Sequence, residues 1–107
     1  MTIDANTGQF ISLTKAKEFV NNFKNLPGTG PVNSHFFGSN KLQQVLTQPG
    51  CIGLRMYYAF EEEQGAFRQQ LVVVGVNSDG NDILDTNLIL DFSATCPPHC
   101  PPPDKSL

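Results

Sequence analysis

The first half of the chain repeats apolar residues at helical spacing in two places. One stripe recurs every three or four residues from a start at Ser12 or Thr14, either of which is a suitable N-cap, to the helix-breaking Leu26-Pro27-Gly28. Its members are Leu13, Ala16, Phe19, Val20 and Phe23. A shorter stripe follows over residues 41–48, with Ser39 as its N-cap and Pro49-Gly50 as its stop. The pattern predicts two amphipathic helices.

The period then changes from that of a helix to that of a strand. From Cys51 to Phe60 apolar residues occupy alternate positions, namely Ile52, Leu54, Met56, Tyr58 and Phe60. Two further strands are predicted: residues 67–76, after a polar loop at residues 61–65, and residues 83–92, after a turn at Asp79-Gly80. The latter is a strand or a strand with a bulge, because Leu88-Ile89-Leu90 breaks strict alternation. The pattern predicts an α+β fold in which two N-terminal helices pack on one face of a three-stranded antiparallel β-meander.

The length of 107 residues suits one domain, with no internal repeat. We expect a flexible N-terminus over residues 1–10, a single α+β domain over residues 11–93 and a Cys/Pro-rich tail over residues 94–107. The prolines of that tail favour polyproline II and contain a PxxP spacing.

Charge and hydropathy indicate which binding partners and which cellular compartment to expect. The net charge is −3 and the seven Lys and Arg residues are scattered, so we expect neither nucleic acid nor an anionic membrane surface as a partner. The N-terminus lacks the pattern of a signal peptide, and the longest apolar run, residues 71–76, is strand-sized. Together with the odd count of three cysteines, this predicts a cytoplasmic protein.

Soft-ligand chemistry is concentrated at the end of the chain, in Cys96-Pro97-Pro98-His99-Cys100. Thiolates and imidazole suit tetrahedral zinc, and the candidate metal ligands are Cys51, Cys96, His99 and Cys100, with His35 as a further donor. Other interpretations stay open. Cys51 can be a small buried hydrophobe, Cys96 and Cys100 can form a local disulfide after lysis or a redox-sensing pair, and His99 can be a solvated tail residue.

No pattern of catalytic residues accompanies these cysteines. The sequence contains no Gly-rich phosphate loop and no Ser/His/Asp order, so we expect the chain not to be an enzyme. The aspartates of residues 79–85 are typical of a hairpin turn, and the glutamates of residues 61–63 of a solvated loop. Arg55 and Tyr57 share the face of the first strand opposite the predicted helices, where they form a candidate interaction surface.

Several short motifs resemble those of a group of small bacterial proteins with no assigned activity. The group has an FFG element, a GCxGxRxY strand, a VGV turn with GND, and a terminal CPPxC in this order. Here the matching stretches are residues 35–38, 50–57, 74–77, 80–82 and 96–100. The resemblance implies that the three cysteines belong together, with the tail folding back over the start of the first strand.

We therefore expect a non-enzymatic binding or protein-interaction module whose partner is another protein or a further copy of this chain. The alternative is a thiol-based protein that binds zinc or responds to redox state through Cys51, Cys96 and Cys100. A hydrolase or transferase is a third interpretation.

Overall fold

A computed structural model describes residues 3–28 and 30–107. The chain divides into two units, one made of residues 3–7 with Phe37–Ser93 and the other of Gly8–Phe36 with Ala94–Leu107. The elements of the described residues, in chain order, are helix α1 (Leu13–Lys24), strand β1 (Ser34–Phe36), helix α2 (Ser39–Leu46), strands β2 (Cys51–Glu63), β3 (Ala66–Asn77) and β4 (Ala94–Cys96), and a 3₁₀ turn at Pro103–Lys105.

The predicted three-stranded meander is wrong, although the fold is a small α+β one. In the described residues the strands form two separate two-stranded sheets, β1 with β4 and β2 with β3. Residues 83–92, predicted as the third strand, are not a continuous strand. Isolated bridges join this region to β3 at Val73–Leu90 and Val76–Asp82. A turn at residues 85–86 and the positive φ of 59° at Asn87 interrupt the extended backbone between these bridges.

The β2–β3 hairpin dominates the first unit. Its register places Arg55 opposite Val74 and Met56 opposite Val73, with an irregularity between Cys51 and Gly53. The turn consists of Gln64 and Gly65, whose φ angles of 52° and 81° are both positive, as a type I′ turn requires. This two-residue turn matches the twist of the strands, so β2 continues to Glu63, beyond the predicted end at Phe60.

The core of this unit lies where α2 meets the end of β3. Val45 of α2 and Val73 of β3 are buried on the side of the hairpin that α2 covers, and Val74 and Val76 are buried on the opposite side, which also carries Arg55. Gln48 is buried as well, and both ends of its amide have partners: Nε2 donates to the Val45 carbonyl at 2.7 Å, and Oε1 accepts from the Thr86 hydroxyl. Both bonds are needed because an unpaired buried amide is costly.

Helix α2 starts earlier than its pattern predicted. Ser39, expected to be the N-cap, is the first helical residue, and Gly38 is the cap. The helix ends at Leu46, which leaves Gln48 in the following turn, where its side chain folds back onto the last turn of the helix. Boundary shifts of this size are typical of helix ends, since several adjacent residues can take the capping conformation.

The second unit contains α1, β1 and β4. Of the two predicted caps, Ser12 caps α1, its Oγ accepting from the Lys15 N–H at 3.1 Å, and Thr14 lies within the helix. The pairing of β1 with β4 places Ser34 opposite Cys96 and Phe36 opposite Ala94. We expected α1 to pack with α2 on one sheet, but α1 belongs to the other unit, and Leu13 and Phe19 of its apolar stripe are more than half exposed. Among the described residues, no helix has the length and apolarity needed to cross a bilayer.

Gly75 provides a test of the packing between α2 and the hairpin. A Cβ added at Gly75 would lie 2.9 Å from Gln48 Nε2 and 3.0 Å from Cys51 Sγ, whereas one added at Gly53 would meet nothing within 4 Å. We expect Gly75→Ala to lower the free energy of unfolding by about 1–3 kcal/mol, because the core must move to accept the methyl group. Urea denaturation measures this, with Gly53→Ala as the matched control, expected to change stability by about 0.5 kcal/mol or less. Equal stability of the two variants would contradict the packing described here.

Candidate functional site

The alternation of side chains along the β2–β3 hairpin creates two faces of different chemistry. One carries Arg55 and Tyr57, which lie opposite Val74 and Val72 in the register. The other carries four large apolar residues, which we call the hairpin face. They are Met56, Tyr58, Phe60 and Phe67. Since successive residues of a strand point to opposite sides, the register alone separates these two groups.

Arg55 and Tyr57 converge on Asp82, and we call these three residues with Gly80 the polar cluster. Arg55 forms an ion pair with Asp82 Oδ1, and the Tyr57 hydroxyl donates to Asp82 Oδ2. The Arg55 guanidinium also donates to the Gly80 carbonyl at 3.3 and 3.4 Å. Both carboxylate oxygens therefore have a donor, and the cluster is partly shielded, with Arg55 and Asp82 side chains 32% and 17% exposed.

A tight turn positions Asp82 for these contacts. Asn77 ends β3, and its side-chain Oδ1 accepts from the N–H groups of Asp79 and Asn81, both at 3.0 Å. The backbone of Asn77 bonds to Asn81 and Gly80, so the chain reverses immediately. Asp82 then bridges to Val76, two positions along β3 from the partner of Arg55. The side-chain amide of Asn77 thus replaces part of the hydrogen bonding of a backbone turn.

Each titratable group of the polar cluster is shifted in the direction that keeps the cluster intact. The Tyr57 hydrogen bond, followed by the Arg55 hydrogen bond and charge, lowers the pKa of Asp82 although desolvation opposes this. The hydrogen bond to Asp82 is also the main cause of the raised pKa of Tyr57 and of the raised pKa of Arg55. All three shifts lie away from neutrality, whereas proton transfer at pH 7 is served best by a group with a pKa near 7.

A shallow cleft adjoins the polar cluster. It has a volume of about 390 Å³, and Arg55 and Val76 of the hairpin line it together with Ile3 and Asp4 of the N-terminal segment. That segment forms a turn in which the Asp4 carboxylate accepts from the Asn6 N–H at 2.8 Å and the Thr7 hydroxyl accepts from the Asp4 N–H at 3.0 Å. The cleft therefore has a polar wall at Arg55 and an apolar wall at Ile3.

The hairpin face is exposed to an extent unusual for its residue types. Tyr58 is 96% exposed, Phe60 67%, Phe67 66% and Met56 53%. The Phe60 and Phe67 rings meet edge to face with their centroids 5.2 Å apart, which fixes part of the surface in one arrangement. Contiguous apolar surface of this kind commonly marks a binding site.

The sequence pattern placed Met56, Tyr58 and Phe60 on the face of the strand beneath the predicted helices, although the lengths of the elements contain a signal against this. A strand advances about 3.3 Å per residue and a helix about 1.5 Å. The eight residues of α2 therefore cover only the part of the 13-residue β2 that lies near its start. The remainder extends past the helix, which is why Tyr58 and Phe60 are exposed while Val73 is fully buried.

The edge of β2 that faces away from β3, which we call its outer edge, lies beside the hairpin face and presents backbone N–H and C=O groups. Val73 exchanges both of its backbone hydrogen bonds with Leu90, at 2.8 and 2.9 Å, so these groups point away from β2. The facing pair of Met56 and Val73 is therefore not hydrogen-bonded, and the backbone N–H and C=O of Met56 point to the outer edge. Because the direction of the backbone groups alternates along an antiparallel strand, the N–H and C=O of Tyr58 and Phe60 also point to the outer edge. Within the described residues, β2 pairs with β3 alone, and no strand pairs with its outer edge.

The predicted metal ligands are divided between the units. Cys96 and Cys100 form a disulfide with their Cα atoms 4.8 Å apart, and His99, between them, is exposed. Cys51 lies in the first unit as a free thiol that donates to the Gly53 carbonyl at 3.2 Å, and His35 lies in β1. In residues 3–28 and 30–107 no group of three or more His, Cys, Asp or Glu side chains could hold a metal ion.

Comparisons of the chain with protein-family models, with curated proteins and with solved structures find no match. The resemblance of its short motifs to a group of bacterial proteins therefore stays a prediction. The polar cluster, the hairpin face and the free edge of β2 are the features from which a function can be argued.

The pH dependence of stability tests the polar cluster. Because the pKa of Asp82 is lowered in the folded chain, its contribution is fully present above the unfolded pKa of about 3.9 and is lost as pH falls through the folded pKa. We expect Asp82→Asn to unfold at a lower temperature than the wild type at pH 7, with the difference shrinking below about pH 3.9. Circular dichroism melts across this range measure it. Asp79→Asn, in the same turn, is the control and should stay close to the wild type throughout; a gap for Asp82→Asn that is independent of pH would contradict the ion pair.

Proposed function

We propose that this chain is a small non-enzymatic protein-interaction module that binds its partner through the hairpin face and the outer edge of β2. The observation that carries the proposal is the exposure of Met56, Tyr58, Phe60 and Phe67 on one face of the hairpin. Large aromatic residues with few rotatable bonds are the side chains that most often provide binding energy when a partner covers them. The partner is accordingly another protein or a second copy of this chain.

The outer edge of β2 is a second reason to place the binding surface on this side of the hairpin. A strand edge with unpaired backbone groups is a template for an added strand, and proteins usually protect such an edge with charge, proline, a bulge or a covering segment. The stretch from Met56 to Phe60 contains neither a charged residue nor a proline. A partner strand added here would form backbone hydrogen bonds while its side chains meet Tyr58 and Phe60.

The polar cluster supports this surface rather than forming it. Arg55 and Tyr57, predicted from the sequence as an interaction surface, have Asp82 as their common partner. Their bonds tie the middle of β2 to the turn after β3, and this favours a rigid hairpin. The pKa shifts away from neutrality favour a structural role over acid–base chemistry. A rigid surface loses less entropy on binding, which favours affinity.

The disulfide favours a second candidate function, that of a redox-responsive protein. Cys96 is nearly buried in β4, and Cys100, four residues on, is exposed, so a small thiol can approach the pair from one side. For the cytoplasmic location proposed from the sequence, the resting form would be the dithiol. Oxidation by glutathione disulfide would then form the Cys96–Cys100 bond, the two thiols giving two electrons and two protons that convert glutathione disulfide into two glutathione molecules.

Affinity capture with matched variants tests the interaction module. The variant Tyr58→Ser/Phe60→Ser/Phe67→Ser removes most of the hairpin face, and the control Phe10→Ser/Leu13→Ser/Phe19→Ser removes comparable exposed apolar surface elsewhere. Each is used as tagged bait in host extract supplemented with a second, differently tagged copy of the wild type. We expect quantitative mass spectrometry to find a protein, or the second copy, that wild type and control both retain and the hairpin variant loses by about tenfold or more.

The outcome that contradicts the proposal is equally specific. If wild type and hairpin variant retain the same proteins in the same amounts, the hairpin face is not a binding surface. Matching far-ultraviolet circular dichroism of the three baits ensures that a loss reflects the surface and not the fold.

Equilibration in glutathione buffers tests the redox candidate. A pair that responds to the cytoplasm should be half oxidised between about −220 and −320 mV, the range of cytoplasmic glutathione potentials. Alkylation followed by intact mass measurement counts the thiols, with Cys51→Ala removing the free one. A Cys96–Cys100 bond that stays fully oxidised throughout this range would make the pair a structural disulfide.

A further inference from the structure

We propose that a cleft beside the Cys96–Cys100 disulfide binds a small anionic thiol peptide of the glutathione class and holds its thiolate for exchange with Cys100. The inference rests on the second candidate function, that of a redox-responsive protein, and names the thiol with which the disulfide reacts. All residues that line the cleft belong to the second unit, Gly8–Phe36 with Ala94–Leu107.

Three parts of the second unit form the walls of this cleft, which has a volume of about 540 Å³. Val20 and Lys24 contribute from α1, where residues four positions apart share one face of the helix. Ser34 of β1 and Cys96 of β4, which face each other in the register, form the second wall. Residues of the tail between 100 and 107 form the third. The volume is within the range of about 300–1,000 Å³ that is typical of small-molecule sites.

The two sulfurs of the disulfide differ in their access. Cys96 is 8% exposed and is held in β4, where its carbonyl accepts from the Asn33 N–H at 2.9 Å. Cys100 follows the strand and is exposed, and both cysteines line the cleft. The rate of thiol–disulfide exchange depends on which sulfur a thiolate can reach. We therefore assign Cys100 Sγ as the sulfur that is attacked and Cys96 as the leaving group.

The exchange balances in electrons and protons. A glutathione thiolate attacks Cys100 Sγ, the Cys96–Cys100 bond breaks, and Cys96 leaves as a thiolate that takes a proton from water. A second glutathione thiolate then attacks the glutathione sulfur of the mixed disulfide, which releases glutathione disulfide and the Cys100 thiolate. Two glutathione thiols thus give two electrons and two protons to the pair, and the reverse sequence is the oxidation described above.

Two ammonium groups favour an anion in this cleft. Lys24 and Lys105 line it, whereas no Asp or Glu side chain of the described residues does so, Asp104 included. Lys24 Nζ donates to the Leu107 backbone oxygen at 3.3 Å, and an ammonium has three N–H donors, so further donors remain for a ligand. Lys105 forms no ion pair with any part of the chain that the structure describes.

The positions of the lysines agree with a peptide whose thiol lies in its middle residue. Lys24 is on the α1 wall and Lys105 on the tail wall, and the disulfide lines the same cleft. Glutathione carries a carboxylate at each end of the molecule and its thiol between them. A thiol with one carboxylate, such as cysteine, is too short to use both lysines while its sulfur meets Cys100.

Reduction kinetics in a Cys51→Ala background test the site. Alkylation and intact mass measurement follow the loss of the disulfide in glutathione, in cysteine and in 2-mercaptoethanol, with each rate expressed per thiolate. We expect glutathione to react about threefold faster or more than the uncharged 2-mercaptoethanol, because the two lysines concentrate the anion beside Cys100. Cysteine should react at a rate close to that of 2-mercaptoethanol.

Charge variants locate the origin of this preference. Lys24→Gln/Lys105→Gln should lower the ratio of the glutathione rate to the 2-mercaptoethanol rate to about one. Lys15→Gln/Lys41→Gln is the matched control, since it removes the same charge from exposed lysines that do not line the cleft, and it should keep the wild-type ratio. Lys24→Arg/Lys105→Arg retains both charges and should keep the ratio as well. Because each ratio is taken within one protein, a general change in the reactivity of the disulfide cancels.

A titration with S-methylglutathione measures binding apart from exchange, because its methylated sulfur cannot attack the disulfide. We expect the amide NMR signals of Lys24, Ser34 and Lys105 in the oxidised protein to shift in a saturable manner. Lys24→Gln/Lys105→Gln should raise the dissociation constant by about threefold or more. The absence of a saturable shift at these residues overturns the cleft as a glutathione site.

The outcomes separate this inference from the function on which it rests. If glutathione buffers reduce the disulfide, but glutathione has no advantage over 2-mercaptoethanol or keeps its advantage in Lys24→Gln/Lys105→Gln, the cleft is overturned and the redox candidate survives. If cysteine reacts as fast as glutathione, the length of the peptide is not recognised and the glutathione class is overturned. A disulfide that stays fully oxidised across the glutathione range overturns the redox candidate and the exchange together.

Discussion

The register of β3 is the constraint on which the first unit depends. Its backbone bonds to β2 on one side and, at Val73 and Gly75, to residues 83–90 on the other. This double pairing buries Val73 and Val74 and decides which groups of β2 point outward. A slip of one residue would exchange the two faces, moving Arg55 to the side of α2 and Met56 to the side of Asp82. The core, the polar cluster and the hairpin face therefore follow from one alignment.

The elements were predictable where a local pattern determines them. The stripe and serine cap of α1, and the alternation of β2, have their expected structures because each depends on nearby residues. The third strand was not predictable, because Asn87 adopts a positive φ that the sequence permits without requiring. The pairing of β1 with β4 was missed for another reason: it joins residues about sixty positions apart, and each strand has three residues, too few to show a period.

Only part of the candidate site, the placement of Arg55 and Tyr57 on one face, was predictable from the sequence. The alternating pattern placed Arg55 and Tyr57 on one face of the strand. Their common hydrogen-bond partner, Asp82, was predicted from the sequence only as part of a turn. Joining the two required the register of both β2 and the segment after β3, which no local pattern contains. The cysteines show the same limit. Their spacing allowed a disulfide, a redox pair or a metal site, and only the three-dimensional arrangement pairs Cys96 with Cys100.

The length difference between α2 and the hairpin has a consequence for how this protein can change over generations. Residues that hold the unit together, such as Val45, Gln48 and Val73, lie at one end of the hairpin, and the exposed aromatic residues lie at the other. A substitution at Tyr58 or Phe67 removes little buried contact, so its effect on folding should be small whatever its effect on binding. Selection can then alter specificity at one end of the hairpin while the other preserves the fold, a separation that favours rapid divergence among descendants of this chain.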